Sequence, residues 1–243
     1  MISIIPVQGL PEIRQGDDLG VLIAERAELE SGDVVVVAQK AVSKAEGRVV
    51  SLAEVEASAR ARELAGEGRD PRESEVILRE AARIVRSRNS LVIAETRHGF
   101  VCASAGVDHS NAPTEDTVVL LPVDPDESAA TIRTTILTQT GKDVGVVVTD
   151  SFGRPFRLGT TDVAIGAAGI RSLVDLRGTA DRAGLLLRST QVAVADEIAA
   201  AANLVRTSKA DGLPVVVLRG LSHVRGEGSA AELVMPGERD LFR

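Results

Sequence analysis

Hydrophobic and polar positions alternate along this chain with two different periods, which predict strands in some segments and helices in others. Short runs of β-branched and aliphatic residues, bounded by polar residues or by Gly and Pro, predict buried strands at residues 2–7, 34–38, 91–95, 118–123, 145–149 and 215–218. Apolar residues at helical spacing predict helices at residues 52–66, 73–88, 127–140 and 190–206. Because strands and helices do not alternate regularly, the pattern favours an irregular α+β fold over a doubly wound sheet.

The helix near residue 127 has its own start signal. Asp124 can cap the first turn with its carboxylate, and Pro125 suits the first helical position. Segments rich in Gly, Asp, Pro or Arg at residues 65–71, 177–184 and 225–228 predict loops between elements. None of these loops has the composition of a disordered linker.

The composition narrows the class of protein. The chain has 243 residues, 44% hydrophobic and 26% charged, which suits one large domain or two small ones. No apolar run approaches the roughly 20 residues that cross a bilayer, and the first residues lack the basic segment of a secretion signal. A single cysteine, Cys102, cannot form an internal disulfide and leaves oxygen and histidine as the ligands for any metal. We therefore expect a cytoplasmic protein that does not span a membrane.

The charge and the aromatic content argue against binding of nucleic acid. The formal net charge is -7, whereas affinity for phosphate backbones depends on clustered Lys and Arg. The chain contains four Phe and no Trp or Tyr, so it lacks the stacking surfaces on which single-stranded bases bind.

Two acidic segments at predicted strand ends are the main candidates for chemistry. Asp150 and Ser151 follow the hydrophobic run at residues 145–149, and Arg154 and Arg157 come shortly afterwards. Carboxylates suit hard cations such as Mg²⁺, and arginines suit phosphate oxygens, so the segment is compatible with phosphoryl chemistry. A capped turn with solvated arginines explains the same residues equally well, and both interpretations remain open.

The second acidic segment places Asp108 three residues before Asn111. Two separated aspartates can share one metal ion, although a local Asx turn is the commoner role for a residue such as Asp108. Residues 9–12 and 39–44 also follow strands, and the second segment offers two lysines for phosphate. Neither matches the P-loop pattern, and ordinary turns are the commoner interpretation of both.

Other conspicuous residues favour structural roles. The glycine-rich segment 159–169 departs from the spacing of a dinucleotide-binding loop and is more typical of close packing. His98, His109 and His223 are too scattered to specify a zinc site. Cys102 has no local nucleophile signature, so we expect it to be buried and inert.

Seven ordered segments together resemble the coenzyme F-420-0:L-glutamate ligase family of gamma-glutamyl ligases; they are residues 6–19, 32–48, 95–111, 120–129, 146–169, 192–205 and 213–220. The resemblance covers essentially the whole chain and implies a single ligase domain over residues 1–243. It implies irregular mixed sheets in two closely packed α+β subdomains, and a homodimer with active sites near the interface. The flavin-binding, nitroreductase-like domain of longer bacterial relatives has no counterpart in this sequence.

The resemblance also implies a reaction. GTP would phosphorylate the terminal carboxylate of F-420-0, and the amine of L-glutamate would attack the acyl phosphate to give an amide. Further glutamates could then be added through gamma linkages. The residues alone leave open an amino-acid ligase that uses another acidic acceptor, and a non-catalytic protein that binds a deazaflavin or a nucleotide.

Specific residues carry this implied activity. By resemblance, Asp108 and Asp150 are catalytic and hold Mg²⁺ or Mn²⁺, with Ser151 as a further metal ligand where relatives often carry threonine. The site would accommodate one or two such ions, and a monovalent cation in addition. The positions implied to contact GTP are Leu10, Pro11, Glu12, Ile13, Gln39, Lys44, Asn111 and Lys209. Residues 206–209 lack the glycine that many relatives carry there, so the resemblance is incomplete at Lys209.

Overall fold

The computed structural model describes residues 1–206 and 212–241. Within these residues the strands are β1 Ser3–Pro6, β2 Val34–Ala38, β3 Val49–Ser51, β4 Ala81–Arg88, β5 Leu91–Thr96, β6 Val101–Ala103, β7 Thr117–Val119, β8 Gly145–Gly153, β9 Thr160–Ala168, β10 Val174–Asp175, β11 Gln191–Val192 and β12 Val215–Arg219. The α-helices are α1 Leu19–Arg26, α2 Gln39–Ala45, α3 Ala59–Ala65, α4 Pro71–Glu80, α5 Pro125–Thr140 and α6 Val194–Asn203. Short 3-10 helices occupy Leu52–Glu54, Ser104–Gly106, Ser222–Val224, Ala230–Leu233 and Gly237–Arg239.

The largest sheet has the strand order β1-β12-β2-β8-β9. Strands β2 and β8 run parallel, and the other pairs in this sheet are antiparallel. In β2, Val35 and Val37 pack into one hydrophobic core, whereas Val34 and Val36 pack into another on the opposite face. Both faces are therefore buried, which explains why the strand is a continuous valine run without polar alternation.

Helices cover the two faces of this sheet. Residues from α1, α2 and α5, including Ile23, Val42 and Ile136, fill the core on one face. Helix α6 covers the other face with Ala195 and Ile198. The sheet is consequently the middle layer of three.

A third core belongs to the segment between α2 and α5. It includes Leu52, Ile77, Val92 and Val118, and it is enclosed by α3, α4, the sheet β4-β5-β6 and the pair β3-β7. The small separate sheets and the irregular element order confirm the predicted α+β fold.

Several predicted elements need correction. Residues 73–88 are not one helix, because α4 ends at Glu80 and the chain continues as β4. The Arg side chains of β4 are exposed while the strand pairs with β5, and Arg83 forms an ion pair of 2.7 Å with Glu95. Ala and Arg have high helix propensity, but pairing in the tertiary structure decides the conformation of this segment.

The remaining corrections concern boundaries. Predicted helix 52–66 is a 3-10 turn followed by α3, whose first turn is capped by Ser58. Predicted helix 190–206 begins as strand β11, and α6 occupies only Val194–Asn203. The predicted strand 118–123 is confined to β7 because its partner, β3, is only three residues long. No helix among residues 1–206 and 212–241 is long and apolar enough to cross a membrane.

The predicted start of α5 is confirmed. Asp124 accepts a hydrogen bond of 3.0 Å from the backbone N–H of Glu127, and Pro125 is in the first turn. The helix ends at Gly141, whose φ of 68° lies in the left-handed region that glycine adopts readily.

Close packing explains the glycine-rich segment, as the sequence predicted. Gly166 in β9 lies directly against the start of α5, where a Cβ would stand 2.1 Å from the carbonyl oxygen of Pro125. This approach fixes α5 against the strand that follows the candidate site.

Gly166→Ala is expected to lower the free energy of unfolding by roughly 1–3 kcal/mol, because the added methyl group would collide with backbone atoms rather than with a movable side chain. Urea denaturation measures the effect. Gly153→Ala in the preceding strand is the matched control, because nothing lies within 4 Å of its added Cβ. Equal stability of the two variants would contradict the close-packing role.

Candidate active site

The candidate site lies where the parallel strands β2 and β8 end. Ala38 at the end of β2 pairs with Thr149 of β8, so α2 begins at the same sheet edge where Asp150 and Ser151 follow Thr149. The carboxyl ends of adjacent parallel strands are a common location for binding sites. Here the topology brings together segments that are more than 100 residues apart in sequence.

Asp150 is a half-buried carboxylate with a strongly altered acidity. Burial raises the pKa of Asp150 to about 6, because the surrounding protein solvates the charged form poorly. The charge of Lys40 and a backbone hydrogen bond from Ser151 oppose this shift, whereas the charges of Asp108 and Asp162 add to it. Asp150 is therefore close enough to two other acids to be coupled to them electrostatically.

Asp108 is held in place by both its backbone and its side chain. Its backbone pairs with Val119 in both directions, and its carboxylate accepts 2.7 Å and 2.9 Å hydrogen bonds from Ser110. The ammonium of Lys40 lies 2.7 Å from Oδ2 of Asp108. Burial works against ionisation, but Lys40 and Ser110 together outweigh it and hold the pKa of Asp108 below its usual value. The predicted Asx-type turn and the predicted proximity to Asp150 are both present.

A third acid, Asp162, completes the cluster. It is buried in β9 opposite Ser151 and accepts a 2.6 Å hydrogen bond from the Ser151 hydroxyl. Arg206 donates to Asp162 at 3.2 Å and to the carbonyl oxygens of Val36 and Pro214, both at 3.1 Å. Burial lowers the pKa of Arg206, and Asp162 opposes that shift. A buried guanidinium therefore ties this acid to two main-sheet segments.

Asp162 is a functional candidate that the local sequence pattern does not single out. Its signal was available in the spacing, because residues 145–153 and 160–168 are two extended runs separated by a short turn. A hairpin prediction would have placed Asp162 across from Ser151. The glycines around it suggested packing instead, and the pairing went unnoticed.

The predicted nucleotide-contacting residues after β1 lie beside α2. Lys44 and Glu12 form an ion pair of 2.5 Å, in which Lys44 is mostly buried and Glu12 is 72% exposed. Pro11 is exposed, Leu10 is half-buried, and Ile13 is buried in the core. Of these side chains, Glu12 and Pro11 are the ones accessible to a ligand.

Gln39 and Asn111 differ in accessibility. Gln39 is buried and donates to the Ser43 hydroxyl at 2.7 Å and to the carbonyl oxygen of Leu120 at 2.8 Å. Asn111 is exposed, with a left-handed φ of 57°, in the turn that follows Asp108. Lys209 lies outside the described residues. The assignment of these residues to a nucleotide stays a prediction.

Cys102 is confirmed as a buried thiol. Burial, with the nearby charge of Asp150, raises the pKa of Cys102 to about 12, so the thiol stays protonated. His109 contacts Glu73 at 3.2 Å, and His98 contacts the carbonyl oxygens of Pro122 and Val123. These contacts are structural.

The donor atoms suit a metal site that water and phosphate complete, rather than one built from protein ligands alone. In the part of the chain that the structure describes, no group of three or more His, Cys, Asp or Glu residues forms a self-sufficient metal site. Asp108 and Asp150 offer hard oxygen donors, whereas the Ser151 hydroxyl donates to Asp162. This set suits Mg²⁺ or Mn²⁺ ions that retain water and are completed by phosphate oxygens.

A cavity of about 330 Å³ lies elsewhere, between the start of α1, the end of α2 and the start of α5. Asp18, Glu46 and Asp124 are among its lining residues, but Asp108, Asp150 and Asp162 are not. This cavity therefore does not coincide with the acids at the carboxyl ends of β2 and β8.

Comparisons with known proteins show the family to which the chain belongs. The model of the F420-0:Gamma-glutamyl ligase family matches residues 9–220. The chain is similar to coenzyme F420:L-glutamate ligases of Methanopyrus kandleri, with 48% identity over all of this chain and 98% of the relative, and of Methanothermobacter thermautotrophicus, with 43% identity over 100% and 99%. A relative from Archaeoglobus fulgidus is 44% identical over all of this chain and 96% of its own length.

These comparisons define the class as a ligase that forms carbon–nitrogen bonds. More specifically, the chain belongs to the F420-0:gamma-glutamyl ligase family, which confirms the family that the sequence resembled.

In metal-free protein at pH 8, Asp150→Asn is expected to raise the free energy of unfolding by roughly 1–3 kcal/mol. The pKa rises from 3.8 in an ordinary aspartate to about 6 here, so the folded state binds the proton more tightly than the unfolded chain. The carboxylate therefore destabilises the fold fully above pH 6, and this cost disappears as the pH falls to about 4.

Urea denaturation in the presence of a chelator, at pH 4 and pH 8, tests this expectation. Glu56→Gln is the control, because it removes an exposed carboxylate away from the cluster. A decrease in stability of Asp150→Asn at pH 8 would show that the carboxylate is not desolvated.

Proposed function

We propose that this protein is a GTP- and divalent-metal-dependent ligase that joins L-glutamate to coenzyme F-420-0 through an amide bond. The observation that carries the proposal is the convergence of Asp108 and Asp150 with the lysines of α2 at one sheet edge. Acids that hold a cation and lysines that neutralise phosphate are the groups that phosphoryl transfer requires. The acceptor and the amino acid are those of the similar coenzyme F420:L-glutamate ligases.

The reaction proceeds in two steps, phosphorylation of the acceptor carboxylate and attack by the amine. A carboxylate oxygen of F-420-0 attacks the γ-phosphorus of GTP, the bond to the β-phosphate oxygen breaks, and GDP leaves. The uncharged amine of L-glutamate then attacks the acyl carbon, the carbon–oxygen bond to phosphate breaks, and inorganic phosphate departs. The nitrogen loses its proton to solvent or to the departing phosphate, and the product is an amide.

Each part of the site has a task in this scheme. A cation held by Asp108 and Asp150, with the Ser151 hydroxyl, would offset the negative charge on the phosphate oxygens. Lys44 neutralises part of the triphosphate, and the loop of Leu10 to Ile13 contacts the nucleotide. Asn111 supplies a neutral polar contact.

The proposal also includes repeated addition of glutamate, further bound cations and a contact from Lys209. Repetition of the reaction on the product would add further gamma-linked glutamates. A second divalent ion and a monovalent cation are included on resemblance alone. Lys209 is included as a contact to GTP on resemblance alone.

We also propose that the protein works as a homodimer. Phe156 and Leu158, at the tip of the β8-β9 hairpin, are 89% and 98% exposed, and Leu185 and Leu186 in the arm between β10 and β11 are 69% and 65% exposed. Large apolar side chains concentrated on two protrusions are typical of surfaces that bury against another chain. A second copy would cover them and would also enclose the acid cluster, which lies at the base of the first hairpin.

The ligase reaction is tested by mixing purified protein, F-420-0, L-glutamate, GTP and Mn²⁺ and following the product mass, with matched reactions that omit each component. A gain of one or more glutamyl units that requires GTP and metal is expected. Asp108→Asn and Asp150→Asn should each lower kcat at least about 100-fold at limiting Mn²⁺, because each removes a charged ligand of the cation that would offset the phosphoryl charge.

Glu56→Gln serves as the control for both variants, since it removes an exposed carboxylate from another surface. Wild-type turnover by Asp150→Asn at limiting metal would refute the metal assignment. Absence of a mass gain with F-420-0, but a gain with another acidic acceptor, would redirect the proposal to that acceptor.

The dimer is tested with the double substitution Leu185→Asp and Leu186→Asp. Two buried carboxylates in an apolar interface are strongly unfavourable, so the variant is expected to be monomeric at micromolar concentration. Light scattering after size-exclusion chromatography measures the mass. Leu137→Asp on the exposed face of α5 is the control, and a monomeric wild type would overturn the assembly proposal.

A further inference from the structure

Lys40 occupies an unusual position among the three acids of the site. Its ammonium lies 2.7 Å from Oδ2 of Asp108, and its side chain is only 18% exposed. The same charge acts on Asp150, where it opposes the rise in pKa that burial causes. Lys40 is therefore the cation that balances the metal-ligating acids in the described structure.

The other charges of the cluster have separate partners. Asp162 is neutralised by Arg206, and the Asp108 carboxylate also accepts two hydrogen bonds from Ser110. Lys40 contacts Oδ2 of Asp108, and the proposed divalent ion would bind the same carboxylate.

Two cations cannot share this oxygen at contact distance. A divalent ion bound to Asp108 would repel an ammonium group a few ångströms away, and the loss of the ion pair would release the flexible lysine chain. The nearest anion would then be the phosphate bound to the same ion. Lys40 and Lys44 are four residues apart and lie on one face of α2, so their ammonium groups can act on neighbouring phosphate oxygens.

We propose that Lys40 takes the place of the metal ion while the site lacks metal, and that it moves onto the transferred phosphoryl group when metal and nucleotide bind. The second half rests on the proposed ligase function, whereas the first half does not. Lys40 thereby weakens metal binding in the absence of nucleotide and accelerates transfer in its presence. Removal of the Lys40 charge should therefore raise the affinity for metal and lower the rate of transfer.

The metal half is tested on the full chain without nucleotide, by measuring free Mn²⁺ with electron paramagnetic resonance. Lys40→Met is expected to bind Mn²⁺ about tenfold more tightly than wild type, because the competing charge is gone. The rise in Tm on addition of Mn²⁺ should also be larger than in wild type, since Asp108 and Asp150 then lack the balancing charge of Lys40. Weaker or unchanged Mn²⁺ binding by Lys40→Met would overturn the proposal.

The phosphoryl half is tested by turnover at saturating Mn²⁺ and GTP. Lys40→Met is expected to lose roughly 100- to 1,000-fold in kcat, as when one charge-stabilising donor is removed from a transition state. Lys40→Arg keeps the charge, so it should recover part of the turnover and bind Mn²⁺ about as wild type does. Full turnover by Lys40→Met would overturn the role on the phosphoryl group.

Lys142→Met is the matched control. Lys142 is exposed beyond the end of α5, so the substitution removes the same charge away from the site. This control should change neither the affinity for Mn²⁺ nor kcat. A general loss of structure would lower both metal affinity and turnover, which distinguishes it from the expected opposite changes. If wild-type protein binds Mn²⁺ but makes no product, the ligase proposal fails while the Mn²⁺ measurement still decides whether Lys40 competes with the ion.

Discussion

The pairing of β2 with β8 is the constraint on which the rest of the structure depends. These parallel strands are buried on both faces, so their register is set by two valine-rich cores rather than by one. A slip of one residue would exchange the side chains between the cores and would separate Asp150 from the start of α2. The precision of the site therefore comes from apolar packing in the sheet.

The site concentrates like charges at the end of this rigid sheet, and that arrangement has an electrostatic cost. Asp150 is coupled to Asp108 and Asp162, and burial weakens the solvation of its charged form. Arg206 and Lys40 offset part of the repulsion from opposite sides. Their surroundings differ, since Arg206 is locked by backbone carbonyls whereas Lys40 is bound to a carboxylate at the edge. Arg206 is therefore suited to a permanent structural role, and Lys40 to exchange with a metal ion.

Much of this architecture was predictable from the sequence. The valine run of β2 and the capped start of α5 carry strong local signals, and both were located correctly. Asp108 and Asp150 stood out as acids after strands, and the family resemblance joined them into one site. Their proximity depends on contacts between distant segments, which no local pattern contains.

Other features could not be found locally for identifiable reasons. The helical composition of β4 is overridden by its pairing with β5, so propensity gives the wrong answer there. Asp162 acquires its role from its cross-strand neighbour Ser151, and Arg206 from carbonyl groups of two other segments. These roles are properties of tertiary pairing, although a hairpin prediction would have recovered the first of them.

The environment of Cys102 has a consequence for the chemical durability of the site. Oxidants and alkylating agents attack the thiolate, and with a pKa of about 12 only about one thiol in 10⁵ is ionised at pH 7. The thiol adjoins Asp150, where a sulfenate or a bulky adduct would disturb the carboxylates. Because poorly solvating surroundings raise the pKa of both Cys102 and Asp150, the desolvation that tunes the acid also shields the sulfur from oxidation.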